Sequence, residues 1–422
     1  MKRSMDEKFN HFNKKTVFIS SLIPEKMCSE VHKKMKTGMP DAAIALQRHL
    51  LEGLFYNIHT DISLINVLPI SSYPNNYEDL FIKHEKFTTE FSSENINVGF
   101  LNLKGVRRKS IERNVYKALC TEFSNNDEGI LFVYTLSSSF LKAVKKFKKI
   151  KSKVHVCVVV ADLPSMNDLS QNTDIFNKIS NKILAKKSYK NMTAIDSFVL
   201  LTEQMAEYLK ISCPYCVVEG IATIPSEYSI KCSQDTDQIK NVLYTGTLHK
   251  KFGILNLIEA FMKTMDCNYR LQICGIGDSI NEIYQASKKD NRICFIGKVD
   301  RETVLKLQKE ATVLVNPRQN NEVFTKYSFP SKNLEYLSSG TPVIAYMLDG
   351  IPIEYSEYII SPKDNSIQAL TAAIDNICQL TNLERRQIGE KGKQFVLNEK
   401  NAKCQTKKIV DMINNIMEEK ND

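Results

Sequence analysis

Short β-branched and aromatic runs alternate with longer amphipathic stretches along most of this chain. Apolar runs bounded by polar residues are typical of buried strands, and the stretches between them have the spacing of helices. This alternation predicts βα units built on parallel sheets. In the first half, the predicted strands are Thr16–Ser20, Ser63–Leu68, Asn97–Asn102, Ile130–Tyr134, Val154–Val160, Ser197–Leu201 and Tyr215–Val218, and the clearest helices are Asp41–Tyr56, Phe140–Lys149 and Glu203–Leu209.

A polar stretch without periodicity, residues 225–240, interrupts the alternation and predicts a domain boundary. The alternation then restarts, which predicts a second doubly wound sheet and a cleft in which ligands sit at the carboxyl ends of strands. We therefore predict domains at 1–235 and 236–398, and a last segment, 399–422, whose helix could cross back to the first domain. The strands predicted in the second half are Asn241–Thr245, Tyr269–Cys274, Ile293–Gly297, Thr312–Asn316, Pro342–Tyr346 and Tyr358–Ile360.

Composition and targeting signals place the chain among ordinary globular proteins. Of its 422 residues, 43% are hydrophobic and 25% are charged, and no apolar run reaches the roughly 20 residues that span a bilayer. The first residues carry charges without an apolar core behind them, so no signal peptide is expected. The eleven cysteines are mostly scattered singly through apolar segments, as in a reducing compartment. We expect a cytoplasmic protein.

Much of the net charge of +9 lies in one short segment. Residues 142–153 contain seven lysines and no acid, with apolar residues at helical spacing between them. One interpretation is a surface helix that packs its apolar stripe on its own domain and leaves its lysines in water. The alternative is peripheral contact with an anionic membrane surface or a lipid-diphosphate acceptor. No nucleic-acid partner is expected, because no recognised nucleic-acid-binding module surrounds the cluster.

The most informative stretch is 322–345, which reads as a polar loop, a short helix and a buried strand. Ser331 suits the N-cap of the helix, and Gly340 suits its end. Lys332 and Glu335 then fall three residues apart on one face of the first turn. The free amides and the lysine favour a diphosphate, and the glutamate can accept hydrogen bonds from a ribose diol. A capped helix with a solvated Lys/Glu face is the alternative.

The second half resembles the donor domain of a GT-B glycosyltransferase of the large retaining family 4, and most of all its capsule and surface-polysaccharide members. The resemblance implies an α/β GT-B fold, in which two Rossmann-like domains face each other across a cleft. Similar segments of the first half match more loosely, among them Ala161–Pro164. The matching segments of the second half are residues 244–253, 271–277, 293–297, 315–318 and 322–345.

Carried over by position, this resemblance assigns the nucleotide-sugar site. Glu335 corresponds to the family's ribose-binding glutamate, while the leading glutamate of the Glu-x7-Glu motif falls on Tyr327. The donor sugar is then left to Glu322, to the Tyr327 hydroxyl or to the amides of Ser328 and Phe329. The family's glycine loop falls on Gly246, with Thr247 in place of the usual arginine. A base pocket at Gly297, Lys298 and Val299 is implied by the resemblance alone.

Cations are expected to stabilise the departing diphosphate, because its developing charge dominates the barrier. With Thr247 in the arginine position, this charge must come from Lys250 or Lys251 together with Lys332, of which Lys251 and Lys332 are the predicted catalytic pair. No metal cofactor is expected, since dispersed lysines can take the place of a divalent metal and the resemblance implies the same.

In the first domain, Asp162 directly follows an apolar strand and could accept a hydrogen bond from the acceptor hydroxyl or the donor sugar. The Asp-Leu-Pro sequence could equally be a plain turn.

The sequence thus predicts a metal-independent, retaining glycosyltransferase. It would move a sugar from a nucleotide-linked donor, with uridine favoured, to a surface polysaccharide or lipid-linked glycan. Two alternatives remain at this point: hydrolysis or epimerisation of the nucleotide sugar, and a non-catalytic GT-B module that binds a glycan or a partner transferase. The Tyr327 substitution keeps the second alternative open.

Overall fold

The computed structural model describes residues 14–36, 38, 40–163, 189–223 and 239–419. The chain divides into two compact units. Residues up to 219, together with those from 402 onward, make the first unit, and residues 220–401 make the second. The boundary predicted at residue 235 lies among residues 224–238, outside the described part, so the predicted domain limits stay a prediction.

Ten strands and six helices are described in the first unit. The strands are β1 (Thr16–Ser20), β2 (Ile62–Asn66), β3 (Phe81–Ile82), β4 (Glu85–Thr89), β5 (Ser92–Asn97), β6 (Phe100–Leu101), β7 (Gly129–Tyr134), β8 (Val154–Val160), β9 (Ser197–Leu200) and β10 (Tyr215–Val217). The helices are α1 (Glu25–Lys34), α2 (Asp41–Ile58), α3 (Arg107–Glu122), α4 (Ser138–Lys148), α5 (Gln204–Leu209) and, from the far end of the chain, α12 (Ala402–Glu419).

Eight of these strands form one sheet in the order β10-β9-β8-β7-β1-β2-β5-β4. All neighbours are parallel except β4 and β5, which pair antiparallel at the edge. The central strands β1, β7 and β8 are buried along their whole length, as expected for a parallel sheet covered on both faces. Their continuous apolar runs, rather than alternation, are what made them visible in the sequence.

The second unit contains a purely parallel sheet in the order β13-β12-β11-β14-β15. Its strands are β11 (Lys240–Thr245), β12 (Tyr269–Cys274), β13 (Ile293–Gly297), β14 (Val313–Asn316) and β15 (Val343–Ala345). Its helices are α6 (Ile254–Met262), α7 (Ile280–Lys289), α8 (Arg301–Glu310), α9 (Ser331–Ser339), α10 (Ile367–Gln379) and α11 (Asn382–Glu399).

Each sheet has a point where the direction of strand addition reverses. In the first sheet this point lies between β1 and β7, and in the second it lies between β11 and β14. Loops leaving the carboxyl ends of two such strands diverge to opposite faces and leave a crevice, where ligands of open α/β sheets bind. The two reversals therefore mark where a site is expected in each unit.

Two predicted strands are wrong in part. Tyr358–Ile360 contributes only one isolated bridge, between Ile344 and Ile360, and Tyr358 ends a 3-10 turn. The predicted strand Asn97–Asn102 is instead the end of β5 and the two-residue β6, separated by Val98 and Gly99. The backbone at Gly99 is crowded, since an added Cβ there would lie 2.7 Å from the His84 nitrogen, so this position requires glycine.

Candidate active site

A pocket of about 200 Å³ lies at the reversal point of the second sheet and is called the Lys332 pocket here. The loops that follow β11 and β14 meet the start of α9 at this pocket. Its lining therefore combines segments that are far apart in the sequence. The lining residues are Tyr244, Thr247, Phe252, Asn316, Arg318, Phe329, Pro330, Ser331 and Lys332.

The helix α9 starts at Ser331, but its cap differs from the prediction. Pro330 occupies the N-cap position and no side chain caps the first turn, so the prediction that Ser331 is the N-cap was wrong. Proline is suited to this place because its fixed φ leads into a helix and it needs no backbone donor. The uncapped amides of the first turn therefore stay available to an anion, and Ser331 itself lines the pocket.

Lys332 is held against the glycine that follows β11. Its Nζ donates to the Tyr244 hydroxyl at 2.9 Å and lies 4.2 Å from the centre of the Tyr244 ring. A Cβ at Gly246 would lie 2.0 Å from both Cε and Nζ of Lys332, and Gly246 has φ of +129°, a backbone conformation that L side chains rarely adopt. The glycine loop and the helix lysine thus form one constellation, which requires glycine at position 246.

The protonation of Lys332 is tuned by this packing. The pKa of the Lys332 ammonium is lowered to about 7: burial is the largest cause, the Glu335 carboxylate opposes it, and the nearby Arg318 charge adds to the lowering. A lysine with such a pKa carries only part of a charge in the free protein at neutral pH. A bound diphosphate would favour its protonation, because an opposite charge close by stabilises the ammonium.

Arg318 is a second cation of the pocket that sequence reasoning missed. Its Nη2 donates to Ser328 Oγ at 2.7 Å, and its guanidinium lies over the rings of Phe252 and Phe324. Burial lowers its pKa to about 10, and its Nε is buried without a hydrogen-bond partner among the described residues. A buried donor of this kind is costly unless a ligand oxygen accepts from it. The sequence signal was the arginine directly after an apolar strand, Val315-Asn-Pro-Arg318.

Glu335 lies one turn further along α9. It forms an ion pair with Arg301 and accepts a hydrogen bond of 2.6 Å from Gln308 Nε2, both of which belong to α8. It is partly exposed, and its contacts fix the carboxylate beside the end of β11, since Gln308 also donates to Thr245 Oγ1 at 3.0 Å. A carboxylate held in this way retains acceptor capacity for a ribose diol.

The other predicted residues fall into two groups. Thr247 and Phe329 line the Lys332 pocket, and Ser328 touches it through Arg318. Glu322 precedes the 3-10 turn Val323–Tyr327, which ends at Tyr327, so both residues lie on the segment leading to α9. Thr247, Ser328 and Phe329 therefore lie at the pocket, whereas Glu322 and Tyr327 lie on the segment that precedes α9.

Lys250 and Lys251 lie in the 3-10 turn Lys250–Phe252 after the glycine loop. Lys250 is exposed and forms an ion pair with Glu282 at 2.5 Å. The Glu282 carboxylate raises the pKa of Lys250 and offsets its positive charge. Lys251 is half-buried, and its backbone amide donates to His249 Nδ1 at 3.3 Å. Phe252, and neither lysine, belongs to the pocket lining.

Gly297 ends β13, and Lys298 and Val299 follow it, two strands away from β11 at the carboxyl edge of the sheet. Gly297 has φ of +82° and open space where a Cβ would be, Lys298 is exposed, and Val299 packs against the core. Open backbone at this edge is compatible with a flat base lying on it.

Asp162 belongs to the first unit and follows β8. It lines a separate pocket there, described below, and the protein around its carboxylate raises its pKa through burial. Pro164, predicted to end the strand, lies outside the described residues.

The lysine cluster of residues 142–153 is largely neutralised by ion pairs within the first unit. Lys146 and Lys148 pair with Glu112 and Asp196 at 2.6 Å each, and Lys151 pairs with Asp127 at 2.6 Å. Weaker contacts join Lys142 to Glu112 and Lys153 to Glu128. The apolar side of α4 is buried in its own unit, as in the first interpretation of this segment.

The architecture is that of a GT-B glycosyltransferase fold, and comparisons with known proteins agree. Residues 232–395, less than half of the chain, match the family model "Glycosyl transferases group 1". An uncharacterized glycosyltransferase of Methanocaldococcus jannaschii is 32% identical over 120 residues. That match spans 27% of this chain and 29% of the archaeal protein, so less than a third of either is covered.

Solved structures extend the likeness to nearly the whole chain. Sucrose-phosphate synthase from Thermosynechococcus elongatus has a TM-score of 0.63 at 14% identity, covering 96% of this chain and 99% of that one. Anabaena HepE in complex with UDP has a TM-score of 0.57 at 12% identity, covering 94% and 99%. These likenesses confirm the predicted α/β GT-B fold, and with the family match they support a glycosyltransferase.

The described residues contain neither a helix suited to span a membrane nor a cluster suited to hold a metal ion. No described helix is long and apolar enough to cross a membrane. In the same part of the chain, no three side chains among His, Cys, Asp and Glu are grouped so that they could hold a metal ion.

Proposed function

We propose that this protein is a retaining glycosyltransferase of family 4, of the capsule and surface-polysaccharide type. It moves a sugar from a UDP-linked donor to a surface polysaccharide or lipid-linked glycan. The observation that carries the proposal is the Lys332 pocket, where two cations and the open end of α9 meet at the reversal point of a parallel sheet. The UDP bound to the structurally similar HepE supports the choice of nucleotide.

In the proposed reaction, the bond between the anomeric carbon and the diphosphate oxygen breaks while the acceptor hydroxyl forms a new bond to that carbon and passes its proton to the departing diphosphate. The electron pair leaves with the diphosphate, so stabilising its charge lowers the barrier. Lys332, Arg318 and the amides of α9 perform this role. Protonation of Lys332 on donor binding supplies a full positive charge at the leaving group.

The remaining roles follow the carried-over positions. Glu335 binds the ribose diol, and Gly297, Lys298 and Val299 receive the base. Gly246 and Thr247 lie along the diphosphate, where Lys251 adds positive potential and Lys250, paired with Glu282, adds less. The segment with Glu322, Tyr327, Ser328 and Phe329 contacts the donor sugar. Asp162 of the first unit accepts a hydrogen bond from the acceptor hydroxyl, and burial raises the pKa of its carboxyl group above the usual value.

We propose that the reaction uses no metal cofactor and that the protein makes only minor contact with an anionic membrane surface. Cations of the protein replace the divalent ion that other transferases place on the diphosphate. Lys146, Lys148 and Lys151 form ion pairs with acidic residues outside this cluster, and these pairs reduce the charge that the cluster offers to lipid headgroups. We therefore expect weak vesicle binding by this segment that disappears at high salt.

The test uses purified protein with several nucleotide sugars, with and without a chelator, and measures released nucleoside diphosphate. Acceptor-dependent release that the chelator leaves unchanged supports the proposal. Release without any acceptor would support a hydrolase instead. Binding of UDP without release from any sugar would support a non-catalytic module.

Variants locate the site independently of turnover. Lys332→Ala and Glu335→Ala are each expected to weaken UDP binding about tenfold or more, since each removes a charged hydrogen bond. Lys306→Ala is the matched control, because Lys306 is an exposed lysine of α8 paired only loosely with Glu310 at 3.9 Å. Equal UDP affinity in all three variants would argue against the assigned site.

A further inference from the structure

The first unit has its own pocket at the reversal point of its sheet, called the Arg107 pocket here. It has a volume of about 340 Å³, within the range of ligand sites. Loops leaving β1, β2, β7 and β8 meet the start of α3 and of α4 around it. The lining residues are Ser21, Val67, Leu68, Pro69, Arg107, Arg108, Ile111, Thr135, Leu136, Ser137, Ser138, Ser139, Phe140 and Asp162.

Two guanidinium groups give this pocket a positive charge. Neither Arg107 nor Arg108 is paired with a carboxylate among the described residues, and Asp162 is the one acidic residue of the lining. Burial lowers the pKa of Arg107 to about 10, with the neighbouring Arg108 charge adding to the effect, and burial also lowers the pKa of Arg108. Two partly desolvated cations without counterions are costly, and an anion would relieve the cost.

Arg107 has unused hydrogen-bonding capacity. Its Nη2 donates to the Ile70 carbonyl at 2.5 Å, and its guanidinium lies 5.4 Å from the centre of the Phe100 ring. These contacts fix its position. Its Nε is buried and has no hydrogen-bond partner among the described residues. A fixed guanidinium with a free donor suits the oxygen of a phosphoryl group.

Backbone geometry adds further donors and a strained residue. Helix α4 begins at Ser138 without a side-chain cap and without an acidic residue in its first turn, so its amides are available at the pocket. Thr135, just after β7, has φ of +71°, which is rare for a β-branched residue. Strain of this kind persists at sites where the fold enforces a local shape for function.

We infer that the Arg107 pocket binds a phosphoryl group carried by the acceptor. The acceptor part of this inference rests on the proposed function. Arg107 and Arg108 contact the phosphoryl oxygens, together with the first amides of α4. Asp162, in the same pocket, then lies beside the part of the acceptor that adjoins its phosphoryl group.

Two kinds of acceptor carry such a group: a soluble sugar phosphate and a lipid-borne phosphate or diphosphate. The segment just before and at the start of α3 favours one of these sources. The side chains of Leu103 and Val106 are apolar, with exposed fractions of 41% and 44%. They lie among the basic residues Lys104, Arg108 and Lys109. Exposed apolar and basic residues together are typical of surfaces that meet lipid. The lipid-borne group is therefore the expected source.

The binding test uses the full chain saturated with UDP, so that the Lys332 pocket is occupied, and radiolabelled inorganic pyrophosphate in equilibrium dialysis. Wild-type protein should bind pyrophosphate, and Arg108→Gln should weaken this binding about tenfold or more. Lys109→Gln is the matched control, since Lys109 is exposed on the same helix outside the lining and should change affinity less than twofold. Arg107→Lys, which keeps the charge and the fold, should also weaken binding because it loses the planar donor set.

The outcomes separate this inference from the proposed function. Failure of UDP itself to bind would sink the donor site. Normal UDP binding without pyrophosphate binding, or equal losses in Arg108→Gln and Lys109→Gln, would overturn the phosphoryl site alone.

Competition then identifies the source. Bound pyrophosphate is challenged with glucose 1-phosphate or with phosphatidylcholine vesicles containing polyprenyl phosphate. Displacement by the vesicles supports a lipid-borne acceptor, and displacement by glucose 1-phosphate supports a soluble one. Displacement by neither would overturn the assignment to an acceptor group.

Discussion

At the scale of single residues, the chemistry of the second unit depends on how one lysine is packed. Lys332 is held by Tyr244 and by the space that Gly246 leaves, and its lowered pKa follows from that confinement. The proposed function therefore links nucleotide binding to proton uptake at this side chain, because a bound diphosphate stabilises the ammonium form.

This linkage predicts a pH dependence of donor affinity. UDP-glucose is a suitable probe, since its diphosphate diester does not titrate near neutral pH. Lys332 is charged below its pKa of about 7 and neutral above it. Binding measured by calorimetry should hence be about tenfold weaker at pH 8 than at pH 6. Lys332→Arg, whose side chain stays charged, should bind with little pH dependence, and an equal slope in both proteins would contradict the assignment.

A second residue-scale prediction concerns Gly246. In Gly246→Ala, the new methyl group would collide with Lys332 at 2.0 Å and occupy a backbone conformation with φ of +129°. We expect UDP affinity to fall at least tenfold because Lys332 must leave its position. The control is Gly105→Ala, which has φ of +92° but nothing within 4 Å of the added carbon. It should lower the melting temperature slightly through backbone strain and leave UDP binding unchanged.

Sequence reasoning found Lys332 and Glu335 because three-residue spacing on a helix is a local property. It missed Arg318, whose role depends on Phe252, Phe324 and Ser328 being brought around it by the fold. The assignment of phosphate binding to Lys250 was made without knowing its partner, Glu282, which lies on another helix. Partners distant in sequence are the part of a site that spacing cannot supply.

At the scale of elements, the position of α9 depends on close backbone contact with α11. A Cβ at Gly389 in α11 would lie 1.9 Å from the carbonyl oxygen of Gly340, which ends α9 with φ of +79°. The two glycines allow the end of α9 to rest directly on α11. They thereby fix the axis along which the start of α9 reaches the Lys332 pocket.

This contact predicts the sign of a substitution. Alanine normally stabilises a helix interior over glycine by about 1 kcal/mol. Gly389→Ala should instead destabilise the protein by about 1–3 kcal/mol, because a backbone atom cannot move aside cheaply. Urea unfolding of the full chain measures it. Gly38→Ala is the control, since nothing lies within 4 Å of the added carbon. A gain in stability for Gly389→Ala would contradict the close packing.

Elements were predictable where an apolar run is bounded by polar residues. Strands β11, β12, β13 and β14 appear within one residue of prediction, and this holds for the fully buried β14 as well as for the edge strand β13. The edge strand β4 was missed, since its residues Glu85–Thr89 are largely exposed and polar. Tyr358–Ile360 has the composition of a strand, but it pairs with β15 through one isolated bridge, between Ile344 and Ile360. Its apolar residues serve core packing instead, since Tyr358 and Ile359 belong to a hydrophobic cluster of the second unit.

At the scale of the whole molecule, the first unit is formed by two parts of the chain, one before and one after the second unit in sequence. Helix α12 packs along α2, where Asn57 Nδ2 donates to the Lys403 carbonyl and to Thr406 Oγ1, each at 2.8 Å. Gly53 makes room for this contact, since a Cβ there would lie 2.2 Å from the Ala402 carbonyl oxygen. The first unit is thus closed by a helix that follows the second unit in the chain.

Thr406→Val tests this closure. Valine keeps the shape of threonine but removes the hydroxyl that accepts from Asn57, so stability should fall by about 1–2 kcal/mol. The loss should appear as a lower melting temperature with unchanged UDP affinity, because the Lys332 pocket lies in the other unit. A change in UDP affinity comparable to that of Lys332→Ala would show that the effect is not confined to the first unit.

The late position of α12 also sets an order of events during synthesis. About 180 residues of the second unit leave the ribosome before α12 does, which takes about 10 to 35 seconds at typical translation rates. During this interval α2 presents an uncovered apolar stripe to the cell, whereas the second unit can already close around its own sheet. We would therefore look for chaperone dependence in the amino-terminal half of the nascent chain, and for its relief once residue 419 has emerged.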